Sequence, residues 1–289
     1  MTNEPSLDRL GRRRRRYRLT RRGRVVLIVS AALVTAAAVL VPLLIMDARE
    51  SKDTEPLPKS LVVPEGWRAT QVYDAVDKAL EVAPGTTGRT AARMKLKLPA
   101  EAKENPEGYL FPATYPIDAR TTPKSLLSFM VNTAHARFGT ERILKPARRT
   151  GLSVYQAVSI ASIVQAEADT PTDMGKVARV IHNRLARAMP LQMDSTLNYA
   201  LRRSTVDTTA KDTRLASPYN TYAQKGLPPT PIGNPGEVAL RAAIAPPAGD
   251  WLYFVTVGPG DTRFTSSYEE HQRNVEEFNA NRERGGTPG

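Results

Sequence analysis

Most of this chain alternates short apolar stripes with polar turns, but one stretch breaks the pattern. Residues 153–168 read Ser-Val-Tyr-Gln-Ala-Val-Ser-Ile-Ala-Ser-Ile-Val-Gln-Ala-Glu-Ala. No charge occurs between Ala157 and Ala166, and apolar residues fall on every face, the pattern of a helix packed on most sides. Ser153 followed by Gln156 has the spacing of a capping box and predicts the helix start. Glu167 then arrives one turn beyond Ile160, Ile163 and Val164, on the line those side chains define. A carboxylate there is costly to bury unless it is paired or used.

The other periodic segments are more ordinary. Thr122-Pro123 predicts a helix start, followed by Leu126, Met130, Ala134 and Phe138 at spacing four. Thr170-Pro171 predicts another, with Met174, Val177, Ala178, Ile181, Leu185 and Ala188 as its apolar stripe and Arg179, Asn183 and Arg187 as a polar line. Leu61-Val62-Val63 reads as a short strand, after which Thr70 is expected to cap a helix carrying Val72, Tyr73, Val76 and Leu80. Asn234 with Glu237 forms a capping pair for a helix through Ile244. Residues 251–257 are the clearest strand, Ser266 with Glu269 is expected to cap a last helix, and residues 285–289 should fray. Residues 83–90, 190–196 and 202–216 read as loop or turn. Residues 217–236 hold five Pro and three Gly around Tyr219-Asn220-Thr221-Tyr222, a long structured loop of the kind that carries function. In residues 106–115 aromatics sit between prolines, and two readings stay open: stacking faces of a groove, or core.

Residues 25–46 form an uncharged run of 22 residues, about 33 Å as a helix and enough for a bilayer core of about 30 Å. The run is too long for a cleaved signal peptide, and no Ala-x-Ala site follows. Charge then fixes its meaning. The 289-residue chain carries a formal +12, yet the first 24 residues hold ten Arg against Glu4 and Asp8, net +8, leaving 31 basic and 27 acidic groups elsewhere. Arg before the run, with only Arg49 and Lys52 shortly after it, predicts a single-pass anchor with a cytoplasmic N-terminus and residues 47–289 outside. No finger, RNP or basic-helix signature follows, which excludes a nucleic-acid partner.

Candidate chemistry is narrow. There is no Cys and only three His, so thiol nucleophiles and disulfides are excluded and metal sites are poorly supplied. Neither a Gly-x-Ser-x-Gly nor a Walker sequence occurs. What remains is a carboxylate on a buried helix with Asn, Gln, Thr and Tyr loops around it, the composition of a carbohydrate site. Burial would raise the Glu167 pKa and suit it to general-acid work. A glycoside hydrolase would want a second carboxylate about 5–10 Å away, and Glu107, Asp169, Asp173 and Asp194 are all candidates. The plain alternative is a helix-end carboxylate facing water or an Arg.

Ala161-Ser162-Ile163-Val164-Gln165-Ala166-Glu167 resembles the catalytic-helix motif of the endolytic murein transglycosylases, the YceG-like family. The resemblance continues through Val177-Ala178-Arg179-Val180-Ile181-His182-Asn183-Arg184-Leu185, Leu191-Gln192-Met193-Asp194, Tyr219-Asn220-Thr221-Tyr222, Gly226-Leu227-Pro228-Pro229-Thr230-Pro231-Ile232, Asn234-Pro235-Gly236 and Tyr253-Phe254-Val255. It implies an α+β fold and a lyase that cuts peptidoglycan glycan strands, leaving 1,6-anhydro-muramyl ends. Glu167 would be the catalytic acid and base, with Gln192, Asp194, Asn220, Thr221 and Tyr222 as substrate or positioning residues and no cofactor or metal. Its partners would be glycan strands, the cell membrane and the cell-wall synthases. The expected layout is a basic tail (1–24), transmembrane helix (25–46), linker (47–59), a small strand–helix module (60–98) as LysM-like remnant, a mainly helical transglycosylase domain with a small sheet (99–284), and a tail (285–289). Three features depart from the family: the LysM-like region is short, Ser195 stands where Pro is usual, and Arg263 stands where His is usual.

Overall fold

The computed structural model describes residues 59–203 and 208–285, which belong to one compact unit. The expected basic tail and anchor, the linker up to residue 58, and residues 286–289 of the expected fraying tail lie outside the described residues, while Gly285 ends the last helix. Among the described residues, no helix is long and apolar enough to cross a membrane.

The fold is α+β. Strand β1 (Ser60–Val62) pairs antiparallel with β2 (Thr114–Pro116), with Leu61 opposite Tyr115, so the strand of the expected small module finds its partner well beyond residue 98. Between them run helices α1 (Ala69–Ala79) and α2 (Thr86–Arg93). Two expectations change here. Thr70 does not cap α1, whose N-cap is Arg68, two residues earlier, with Gln71 Oε1 accepting from the Arg68 N–H at 2.9 Å. Residues 86–93 are helix, not loop. Asp77 on α1 accepts from both the N–H and hydroxyl of Thr87, at 2.8 and 2.6 Å, and Gly85 supplies the left-handed φ of +78° at the helix entrance. The cap is borrowed from a neighbouring element, which a local reading misses.

Helix α3 (Pro123–Phe138) follows with the predicted capping, its Thr122 hydroxyl accepting from Ser125 N–H. Helix α4 (Glu141–Arg149) has no counterpart in the predicted pattern, because Pro146 and five charged residues mask its two buried side chains, Ile143 and Ala147. The central helix α5 (Val154–Glu167) begins at Ser153 with the predicted capping box and buries every residue from Tyr155 to Val164 except Gln156. It packs against α4, α6 (Pro171–Ala186), α7 (Asp194–Ala200) and, most extensively, α8 (Glu237–Ile244). A hairpin of β3 (Tyr253–Gly258) and β4 (Asp261–Thr265) then supports α9 (Tyr268–Gly285).

The aromatics of residues 106–115 belong to the core. Tyr109, Phe111 and Tyr115 are buried, and Tyr109 stacks on Tyr155 of α5 at 6.2 Å between ring centres. Gly108 makes this approach possible: its φ is +84°, and a Cβ there would lie 2.6 Å from Pro231. Three further expectations shift. Asn234 does not cap α8, since its side chain accepts from Leu110 N–H and donates to the Trp67 carbonyl, both at 2.8 Å. The cap of α9 is Ser267, whose hydroxyl accepts from Glu270 N–H at 3.3 Å, rather than Ser266. The turn expected over residues 190–196 ends at Met193, where α7 begins.

Candidate active site

Glu167 is the last residue of α5, and Ala168 leaves the helix in an extended conformation. The helix itself is fixed by its burial and by polar groups spent on the proline-rich loop. Ser162 accepts from Ile232 N–H at 3.0 Å, and Gln165 accepts from Gly236 N–H at 3.0 Å. These contacts explain how an irregular loop satisfies its backbone against an apolar helix. They leave Glu167 as the terminal carboxylate of a rigid element.

Residue 195 meets it from α7. Its N–H and its hydroxyl both donate to Glu167 Oε1, at 3.1 and 2.6 Å. Glu167 retains some exposed surface, yet crowding by protein atoms dominates its ionisation. Burial pushes the carboxyl up from its ordinary value, the two Ser195 donors oppose that rise, and the nearby Asp194 charge adds to it. A carboxyl that holds its proton more tightly than usual and is still reachable is suited to general-acid work.

Of the four possible second carboxylates, Asp194 is the one whose charge bears on Glu167. Asp173 is occupied at the start of α6, exchanging hydrogen bonds with Thr170 at 2.9 and 3.1 Å. Glu107 is buried elsewhere, accepting from Ala69 N–H at 2.8 Å and from the Tyr199 hydroxyl at 3.0 Å. Asp169 is exposed. Among the described residues no cluster of His, Asp and Glu is placed to hold a metal ion.

The structure brings the remaining site candidates together and gives them different surroundings. Tyr222 donates to Asp194 Oδ1 at 2.5 Å, and both side chains are partly open. Gln192 is exposed with a left-handed φ of +52°, unusual for a residue with a side chain. Its N–H donates to the Thr221 carbonyl at 2.9 Å. Asn220 and Thr221 are buried, at 0% and 1% exposure, with their polar atoms spent inside the protein. Asn220 Nδ2 donates to the Thr213 and Leu215 carbonyls, and Thr221 Oγ1 accepts from Met193 N–H. A cleft of about 550 Å³ lies elsewhere, lined by Gly175, Lys176, Ala242, Pro247 and Trp251.

Comparison with known proteins agrees with this architecture. The sequence profile of the YceG-like family matches residues 39–277. This chain belongs to the YceG-like family. It is 36% identical over 173 residues to an endolytic murein transglycosylase of Bacillus subtilis, covering 60% of this chain and 48% of the relative. It is 37% identical over 181 residues to one of Streptococcus pneumoniae, covering 59% of this chain and 32% of the relative. The chain therefore spans about half, or less, of the length of these curated relatives. A YceG-like protein of Listeria monocytogenes, known as a crystal structure, matches with a TM-score of 0.65 at 30% identity over 75% of each chain.

Within this YceG-like architecture the sequence reading overlooked Arg184. Buried beneath the loop, it donates Nε to the Leu252 carbonyl at 2.7 Å and Nη1 to the Leu191 carbonyl at 2.6 Å. The same Nη1 also reaches Gln192 Oε1 at 3.2 Å, and the guanidinium lies 5.4 Å from the Tyr253 ring centre. It ties the hairpin to the 190–193 loop. Its only signal in sequence is a position one residue off the polar line of α6, where a charge faces the core. Arg263 has become a surface tie, pairing with Glu277 at 2.6 Å and Asp261 at 3.1 Å.

Proposed function

We propose that this chain is a membrane-anchored endolytic lytic transglycosylase of peptidoglycan in which Glu167 is the single catalytic carboxylate. The observation that carries the reading is the setting of Glu167: a raised, still accessible carboxyl at the end of a buried helix, in a family whose curated relatives bear that activity in their names.

In this reading protonated Glu167 gives its proton to the glycosidic oxygen between N-acetylmuramic acid and N-acetylglucosamine, and the C1–O bond breaks. The muramyl 6-hydroxyl oxygen bonds to the same C1, and its proton passes to the Glu167 carboxylate, restoring the acid. No water is consumed, which accounts for catalysis with one carboxylate. Gln192, Asp194 and Tyr222 line the approach, while Asn220 and Thr221 hold the loop that presents Tyr222. Residues 25–46 hold the enzyme in the cell membrane with its N-terminus cytoplasmic, beside the synthases whose nascent strands it cuts.

Mass spectrometry of muropeptides released by the full chain in detergent tests this. Anhydro-muramyl ends are expected from wild type, and none from Glu167→Gln. Reducing ends would overturn the lyase in favour of a water-using glycosidase, for which Asp194 is the available second carboxylate. No Glu167-dependent product at all would leave a glycan-binding scaffold.

A further inference from the structure

The side chain that meets Glu167 is not among the residues the resemblance implicates. Ser195 gives both of its donors to one oxygen, Oε1, at 3.1 Å from N and 2.6 Å from Oγ. Two hydrogen bonds converging on one carboxyl oxygen break the equivalence of the two. A carboxylic acid whose Oε1 accepts two donors carries its proton on the other oxygen, because a proton on Oε1 would confront the Ser195 N–H, which can only donate. No second partner from the described residues holds the carboxylate, so its rotamer depends on Ser195.

We propose that Ser195 is a positioning residue for Glu167, anchoring Oε1 so that Oε2 is the oxygen that gives and takes the proton. The inference rests on the transglycosylase reading above. It assigns the two oxygens different tasks. Oε2 faces the substrate oxygen through both half-reactions, while Oε1 stays bound and shares the charge that appears when the proton leaves. Charge-assisted hydrogen bonds are shorter and stronger than neutral ones, so the short hydroxyl contact strengthens in the anionic intermediate. The groups facing Glu167 are Ser195, the charge of Asp194 and the phenol of Tyr222, whose pKa burial raises and the Glu167 charge helps to raise, and Tyr222 donates to Asp194.

The test compares full-length wild type, Ser195→Ala, Ser195→Cys and Ser195→Thr by pH profiles of kcat and KM on purified peptidoglycan. Ala removes Oγ and keeps the N–H, Cys substitutes a weak donor, and Thr keeps both donors. Glu167 acts first as an acid, so the alkaline limb marks loss of its proton. Losing a donor to the anion raises its pKa and moves that limb to higher pH by about one unit. The plateau kcat should fall about tenfold with KM nearly unchanged, since a loosened carboxyl misplaces the proton rather than the sugar. Thr should return both limb and kcat. An unshifted limb with normal kcat in folded Ala or Cys would overturn the proposal while leaving Glu167-dependent activity intact. If Ala does not fold, the Cys and Thr profiles decide alone. Wild type without Glu167-dependent anhydro products would instead refute the underlying reaction.

Discussion

Glu107→Gln should reverse part of the pH dependence of folding stability. Glu107 is 3% exposed and bridges two parts of the fold, accepting from Ala69 N–H at the start of α1 and from the Tyr199 hydroxyl on α7. Burial pushes its carboxyl up from 4.5 to about 7, against the opposing pull of those two hydrogen bonds and of Arg68. Because the folded pKa lies above the unfolded one, the native state binds more protons between about 4.5 and 7, and stability falls as pH rises through that window. A rise from 4.5 to about 7, at about 1.4 kcal/mol per pH unit, amounts to a loss of about 3 kcal/mol. For a domain of this size that is roughly 6–12 °C in Tm. Glutamine keeps an acceptor for Ala69 and cannot ionise. Urea unfolding of the full chain and of the variant, from pH 4 to pH 8, isolates the contribution, since the other titrating groups cancel in the difference. The variant should be less stable than, or equal to, wild type at pH 4 and gain on it steadily towards pH 8. A constant difference across the range would refute the reasoning.

Two further substitutions probe the loop around the site. Tyr222→Phe removes the 2.5 Å bond to Asp194 from a partly open pair; kcat/KM should fall about tenfold with Tm nearly unchanged, and unaltered initial rates would place Tyr222 outside the reaction. Arg184→Met leaves the carbonyls of Leu252 and Leu191 without donors, and urea unfolding should show a loss of about 3–5 kcal/mol; a loss under about 1 kcal/mol would mean that water replaces the guanidinium.

The elements legible in sequence were those whose apolar period is carried by their own residues. Helices α3, α5 and α6 begin where Thr122, Ser153 and Thr170 stand, because each hydroxyl accepts from an amide three residues on. Helix α2 was not legible, since its capping carboxylate, Asp77, sits on another helix. Asn234 shows the opposite failure. It has the spacing of a cap, but Leu110 and Trp67, both more than a hundred residues away, use up its side chain. The same division runs through the site. Glu167 stood out because a charge at the end of an uncharged helix is a local anomaly. The tie of Ser195 to Glu167 was not legible, because it exists only once α5 and α7 pack. Nor did the pattern show that Asn220 and Thr221 would be buried. A loop rich in hydrogen bonders looks alike whether those groups face substrate or backbone.

Among the described residues, Glu107 and Glu167 are the carboxyls with raised pKa values, and ionisation alone does not separate them. Glu107 is sealed. Both of its oxygens are bound, one to an amide and one to a phenol, and its partners Arg68 and Tyr199 are themselves stacked at 5.3 Å. A proton there could be exchanged only by opening the fold, so its effect must appear in stability. Glu167 has one oxygen bound and some surface open, on an element too well packed to move. Its proton is exchangeable without unfolding, so its effect must appear in rate. The two substitutions to Gln therefore make opposed predictions. Glu107→Gln should alter the pH dependence of unfolding and spare the product pattern, while Glu167→Gln should abolish the products. An activity loss in Glu107→Gln matching that of Glu167→Gln, in a folded protein, would break this division and make the buried bridge part of the site.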